Sequence, residues 1–367
     1  MKVLADQFLY NVRELLPNDC ECSLFDPSDG FPDEAPLYDA LLIRTVTKIN
    51  RETLPDPGNL KFIGTATAGF DHVDQNYLQN LGVAFARSEG CNASAVGEYV
   101  LTSLYRWAES KSRDLKNLQI GIVGCGNTGS AVNFYLKRLG IQTVLYDPPK
   151  ARREPSFISA SEEEVLNCDI LTFHTPLTAS GDDPTFHICG EKWLNSEFKL
   201  IINSARGGVV DEKSLLKAKK TGLVEDYILD VWEGEPDFSD EVVSEAFIAT
   251  PHIAGYSREA KQRASEMVIS ELCTFFNLNQ PDTVFDEIPT ALKKSEKLNF
   301  ATFLWENNQI DLYDRELRKL IGMSSITKSE KFAELRSQTK TRFEFATLLK
   351  NSEHLDSLPG EAYIFTK

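Results

Sequence analysis

Ile120-Gly121-Ile122-Val123-Gly124-Cys125-Gly126-Asn127-Thr128-Gly129 is a short apolar run that ends in glycines spaced G-x-G-x-x-G. A run without two-residue alternation reads as a strand buried on both faces, here 118–123, and the residues after it, up to 139, read as a helix. Each glycine has its own task in such a turn. Gly124 permits the tight bend, Gly126 lets backbone approach a pyrophosphate, and Gly129 allows helix and strand to pack closely. Alone the motif is weak; between a strand and a helix it reads as a dinucleotide site. A second strand, 143–146, ends at Asp147, where a carboxylate accepts hydrogen bonds from ribose hydroxyls and repels a 2′-phosphate, so the expected cofactor is NAD rather than NADP. The competing reading is that Asp147 only closes a turn before Pro148-Pro149.

Working outward, buried strands are expected at 170–174, 200–203, 227–231 and 247–249, separated by segments long enough for crossover helices. That is the rhythm of a doubly wound parallel sheet, preceded by a long helix at 92–107. Ahead of it, apolar runs at 2–5, 40–43, 62–65 and 83–85 alternate with turn-rich and helical stretches and predict a smaller α/β domain. A helix at 256–276 is expected to pack back on that first domain. After Gln280 and Pro281 the chain becomes charged and mostly helical, with 311–320 and 329–349 as the clearest helices, which predicts a third module.

With 367 residues the chain is long enough for two or three cores. Residues 1–10 carry a lysine and a short apolar patch interrupted by Asp6 and Gln7, unlike a secretory leader, and no later stretch has the length of an apolar membrane span, so a cytoplasmic location is expected. The seven cysteines show no C-x-x-C pair and read as reduced thiols. A formal charge of −16 argues against a nucleic-acid partner and requires that any anionic substrate be drawn in by local positive groups. None of the five histidines has H-E-x-x-H or similar spacing, so no metal is expected.

Three later segments each place a reactive side chain just beyond a strand: Asn203-Ser204-Ala205-Arg206-Gly207-Gly208, Asp230-Val231-Trp232-Glu233-Gly234-Glu235-Pro236, and Pro251-His252-Ile253-Ala254-Gly255-Tyr256. Oxidation of a hydroxy acid needs a base for the hydroxyl proton and a cation for the carboxylate. His252 suits the first because an imidazole titrates near neutrality. Glu235 can hydrogen-bond its far side and favour the protonated form. Arg206 offers a planar fork for a carboxylate and a developing carbonyl oxygen. Each alone has an ordinary reading, as a structural histidine, a solvated glutamate or a surface arginine; their joint placement after strands of one domain points to chemistry.

On the glycine turn with Asp147, His174-Thr175-Pro176-Leu177, the 203–208 segment and the segments holding Glu235 and His252, the chain resembles the D-2-hydroxyacid dehydrogenase family over residues 1–278. A narrower likeness to one kind of member lies in Arg44-Thr45-Val46-Thr47-Lys48, in 64–74, in Gly90-Cys91-Asn92-Ala93 leading to Glu98-Tyr99-Val100, and in Asp314-Arg315 and Arg342-Phe343-Glu344-Phe345. The resemblance implies a Rossmann-type NAD domain at 93–255, a flavodoxin-like substrate domain at 1–92 plus 256–280, and a C-terminal α+β dimerisation domain at 281–367. It implies Arg206, Glu235 and His252 as catalytic residues with His252 as acid/base. NAD contacts are implied at Gly124, Gly126, Asn127, Thr128, Gly129, Asp147, Thr175, Asp230 and Gly255, and substrate contacts at Thr45, Thr65 and Tyr256. It further implies a phosphorylated hydroxy acid as substrate and a homodimer. Arg44, Lys48 and Arg258 are candidate cations for the phosphate. Alternatives are another D-2-hydroxyacid dehydrogenase, acting on phosphoglycerate, glycerate or glyoxylate, and a non-enzymatic NADH-sensing protein of the same fold.

Overall fold

The computed structural model describes residues 1–280, 299–337, 342–350 and 360–365. Two compact units are present, one of Met1–Asn92 with the segment from Ser257, the other of Ala93–Tyr256 with the C-terminal part.

In the first unit five parallel strands lie in the order β2-β1-β3-β4-β5, where β1 is Lys2–Asp6, β2 Glu21–Phe25, β3 Ala40–Ile43, β4 Phe62–Thr65 and β5 Ala84–Arg87. This is the flavodoxin-like order, with the helices on both faces that a parallel sheet requires. Sequence reading missed β2 because Glu-Cys-Ser-Leu-Phe is an edge strand that buries only Phe25. The helix Arg258–Phe276 packs on this unit through Val268, Ile269, Leu272 and Cys273. Gly64 allows that approach, since a Cβ there would lie 2.3 Å from Val268 Cγ2.

The second unit has six parallel strands in the order β11-β10-β9-β8-β6-β7. They are β6 Gln119–Val123, β7 Gln142–Tyr146, β8 Ile170–Phe173, β9 Phe198–Asn203, β10 Val224–Leu229 and β11 Ile248–Ala249. The chain winds one way from β6 to β7 and the other way from β6 to β8, so the topological switch point lies at the carboxyl ends of β6 and β8. The helix Ala93–Ser110 crosses the sheet and buries Trp107 completely, with its indole N–H donating to Asp226 at 3.0 Å. Removing such a ring from water is worth at most about 5 kcal/mol.

The C-terminal helices belong to this unit's two cores. Phe300, Phe303, Leu304, Ile310 and Phe345 join the core under the helix Ala93–Ser110, and Leu317, Leu320 and Phe332 join the core on the other side. Asp314, on the helix Ile310–Arg318, accepts the backbone N–H of Ala249 at 2.7 Å and so occupies the edge of the two-residue strand β11. The Arg342 motif folds onto the Glu98 motif: Arg342 pairs with the fully buried Glu98 carboxylate, whose other oxygen accepts the Phe345 N–H at 2.8 Å. Burial pushes the Glu98 carboxyl up, against the nearby guanidinium, to about 8. The long helix expected at 329–349 is two, Ser325–Ser337 and Phe345–Lys350, with 338–341 outside the described residues. Among the described residues all regular structure of this C-terminal part is helical, where a mixed α+β domain is expected from sequence. No described helix is long and apolar enough to cross a membrane.

Candidate active site

The glycine turn sits where the switch point puts it. Gly124 has φ +87°, and a Cβ on it would lie 2.8 Å from the backbone of His174 and Thr175, so only glycine lets the β6 loop meet the β8 loop. At Gly129 a Cβ would sit 1.9 Å from the Gly124 carbonyl oxygen. Around Gly126 a Cβ would meet nothing within 4 Å, which is the open face a pyrophosphate needs. Asn127, Thr128 and Gly129 form the first turn of the helix Asn127–Arg138, whose N-terminus carries no side-chain cap and is a ready anion site. Beside the turn, Thr175 Oγ1 and His174 Nδ1 are buried without a hydrogen-bond partner. Burial pushes the His174 imidazole down to about 3, so it stays neutral. The open glycine face, the uncapped helix and the orphaned threonine hydroxyl fit a dinucleotide.

Asp147 combines the two readings its sequence left open. It ends β7, accepts the Cys125 N–H at 2.8 Å, and caps the next helix through the Lys150 N–H at 2.9 Å. Each carboxylate oxygen keeps a further lone pair, so holding the turn and accepting ribose hydroxyls are compatible.

The three reactive segments leave the carboxyl ends of adjacent strands β9, β10 and β11, where Asn203, Leu229 and Ala249 stand in register. Asn203 shapes the first of them by accepting the Ala205 N–H at 3.1 Å and donating to the Arg206 carbonyl at 3.0 Å. The next residue, Gly207, presses on the second segment: a Cβ there would lie 1.9 Å from the Trp232 carbonyl oxygen. In the third, His252 holds φ +57°, a costly conformation for a side-chain-bearing residue. Asp230 secures it. Buried at the end of β10, it accepts the Ile253 and Ala254 N–H groups at 2.8 and 2.9 Å and the Thr250 hydroxyl at 2.6 Å, while its carbonyl accepts the His252 N–H at 2.7 Å. Burial pushes its carboxyl up to about 6, against the nearby His252 charge. The chain continues through Thr250 to the buried Tyr99 hydroxyl at 2.7 Å. Gly255 and Tyr256 follow directly.

His252 Nδ1 and Glu235 Oε1 are 2.6 Å apart. Burial pushes the Glu235 carboxyl up, but the His252 charge and hydrogen bond, the Arg336 charge and the Trp232 N–H outweigh it and hold it below its ordinary 4.5. A lowered carboxylate contributes stability that is present above 4.5 and lost as pH falls through the folded-state value. Glu235→Gln should therefore be less stable than wild type at neutral pH, and thermal melts should show the gap closing below pH 4.5. The same variant should lose about 10- to 100-fold in kcat through looser orientation of the imidazole.

Within the first unit, Thr65 is fully buried at the end of β4, its hydroxyl 2.9 Å from both Thr67 Oγ1 and His72 Nε2. Thr45 is exposed in the turn after β3. Of the candidate phosphate cations, Arg44 pairs with buried Asp6 at 2.8 Å, Arg258 donates to the Tyr10 hydroxyl at 3.0 Å, and Lys48 is exposed. His187, Asp211 and Glu233 could approach a cation together, yet His187 bonds Glu233 at 2.9 Å and Asp211 caps the helix Glu212–Thr221. Sequence reading missed Arg336, whose guanidinium lies 5.9 Å from the Tyr256 ring. The i, i+4 spacing of Lys328, Phe332 and Arg336 was the available signal.

Residues 96–254 match the family model described as the D-isomer specific 2-hydroxyacid dehydrogenase, NAD binding domain. The erythronate-4-phosphate dehydrogenase of Bacteroides fragilis is 36% identical over 318 residues, covering 86% of this chain and 89% of the relative. The enzyme of the same name from Photorhabdus laumondii is 45% identical over 290 residues, covering 77% and 76%. Among solved structures, the TT0316 protein of Thermus thermophilus superposes with a TM-score of 0.63 at 24% identity, over 78% of this chain and 100% of that one. The NAD⁺-bound 3-phosphoglycerate dehydrogenase of Entamoeba histolytica gives 0.62 at 24% identity, over 76% and 95%, and these likenesses concern the fold. The match over most of both chains, with the glycine turn of an NAD-binding domain in place, assigns the chain to the erythronate-4-phosphate dehydrogenase family of D-isomer specific 2-hydroxyacid dehydrogenases.

Proposed function

We propose that the protein oxidises 4-phospho-D-erythronate at C2 to (R)-3-hydroxy-2-oxo-4-phosphooxybutanoate, a step toward pyridoxal 5′-phosphate. The substrate rests on the relatives' names. The observation that carries the chemistry is the 2.6 Å pairing of His252 and Glu235 on strand ends adjacent to the Arg206 segment. The glycine turn would hold NAD, which would supply the hydride acceptor for C2. His252 takes the hydroxyl proton at Nε2, because Nδ1 faces Glu235. Arg206 grips the carboxylate, and Thr45, Thr65 and Tyr256 are assigned to substrate contacts. The C-terminal helices, packed into the cores of the NAD unit, are assigned to the dimer contact of a cytoplasmic homodimer.

The assay is NADH appearance by absorbance with 4-phospho-D-erythronate beside 3-phosphoglycerate, D-glycerate and, in reverse, glyoxylate. Turnover of the erythronate ester is the expected result. Turnover of another acid in its place would keep the family and overturn the substrate, and silence across the panel with NADH still binding would favour an NADH-sensing protein.

A further inference from the structure

We propose that Arg336, from the C-terminal helix Ser325–Ser337, is the specificity-determining residue that receives the substrate's phosphate. The proposal rests on the reading that the substrate is a phosphorylated hydroxy acid. Such a molecule brings two anionic groups, and the fork of Arg206 suits only its carboxylate. The surroundings are hostile to the second, because Asp211, Glu212, Glu233 and Glu235 cluster on the neighbouring loops and the chain carries −16 overall. A cation must offset them locally.

Arg336 is placed for this by a stripe on one helix face. Lys328, Phe332 and Arg336 recur every four residues and so point the same way. Lys328 donates to the Phe238 carbonyl at 3.0 Å and pairs with Asp240 at 2.7 Å. Phe332 packs tilted against Phe238 with centroids 6.1 Å apart, and Phe238 in turn lies 5.9 Å from Trp232. These contacts fasten the helix to the loop that carries Glu235. One turn further on, the Arg336 guanidinium reaches the Tyr256 ring, four residues after His252. Its Nε is buried and has no acceptor among the described residues. A desolvated donor without a partner is costly unless something arrives to accept from it, and a phosphate oxygen is the acceptor an arginine fork fits best.

The test compares wild type, Arg336→Gln and Arg336→Lys with 4-phospho-D-erythronate and with unphosphorylated D-erythronate, and titrates inorganic phosphate as an inhibitor. In Arg336→Gln the KM for the ester should rise roughly 10- to 100-fold, against little change in the KM for D-erythronate. Competitive inhibition by phosphate should weaken in parallel, and Arg336→Lys should recover part of the loss because it keeps the charge without the fork. Thermal melts and NADH binding confirm that each variant is folded. An unchanged KM for the ester in folded Arg336→Gln overturns the assignment. So does an equal fall in kcat for both substrates with a shifted pH profile, which would make Arg336 a positioning residue acting through Glu235. Failure of the wild type itself to turn over the ester would instead overturn the substrate reading, and the Arg336 proposal with it.

Discussion

His252→Asn should lower kcat by about 10²- to 10⁴-fold while leaving the dissociation constant for NADH within a few-fold of wild type. In the proposed reaction the imidazole takes the hydroxyl proton, and its Nδ1 is fixed against Glu235 at 2.6 Å. Asparagine is the better substitution because His252 holds φ +57°, where asparagine is tolerated and alanine adds strain. The cofactor turn follows β6, separated from β10 by β8 and β9, so its binding should survive. Loss of the imidazole also removes the charge and hydrogen bond that hold the Glu235 carboxyl low, and that carboxyl should rise. Stopped-flow kinetics with NADH fluorescence titration separates the two effects. Near-wild-type turnover in a folded His252→Asn variant would remove this residue from the reaction.

Gly207→Ala should cost about 100-fold in kcat/KM although it deletes no functional group. The added methyl would lie 1.9 Å from the Trp232 carbonyl oxygen and 2.4 Å from its carbon, both backbone atoms that no rotamer change can move aside. Gly207 does not lie in the left-handed region, so alanine carries no conformational penalty and the effect is purely steric. The Arg206 segment and the 232–235 loop must then separate, which shifts the two segments relative to each other. The melting temperature should fall as well, while NADH binding holds. Wild-type kinetics in Gly207→Ala would show that the spacing of these two loops is immaterial.

Much of this molecule was legible because buried parallel strands announce themselves as apolar runs and because the glycine turn has a separate steric reason for each glycine. Edge elements were harder. β2 buries one side chain, and β11 has only two residues, its edge occupied by Asp314 from a helix 65 positions away. Asp147 could not be resolved from sequence because it both caps a helix and faces the turn. Asp230 reads from sequence as a cofactor contact; its carboxylate also accepts three hydrogen bonds that shape the His252 segment, and nothing in its neighbouring residues reveals partners twenty or more positions away. Arg44 and Arg258 stood out as cations near suggestive motifs, but their partners Asp6 and Tyr10 come from the chain's first strand and the turn after it. Arg336 went unnoticed because its meaning depends on the loop it packs against, which lies about a hundred residues earlier in the chain.

The most direct test of the central claim uses 4-phospho-D-erythronate carrying deuterium at C2, with mass analysis of the reduced nicotinamide formed in a single turnover. Hydride transfer from C2 predicts that the label appears in the reduced cofactor and that the step slows relative to unlabelled substrate. Reduced cofactor without deuterium, or turnover that leaves the label in the product, would contradict the account.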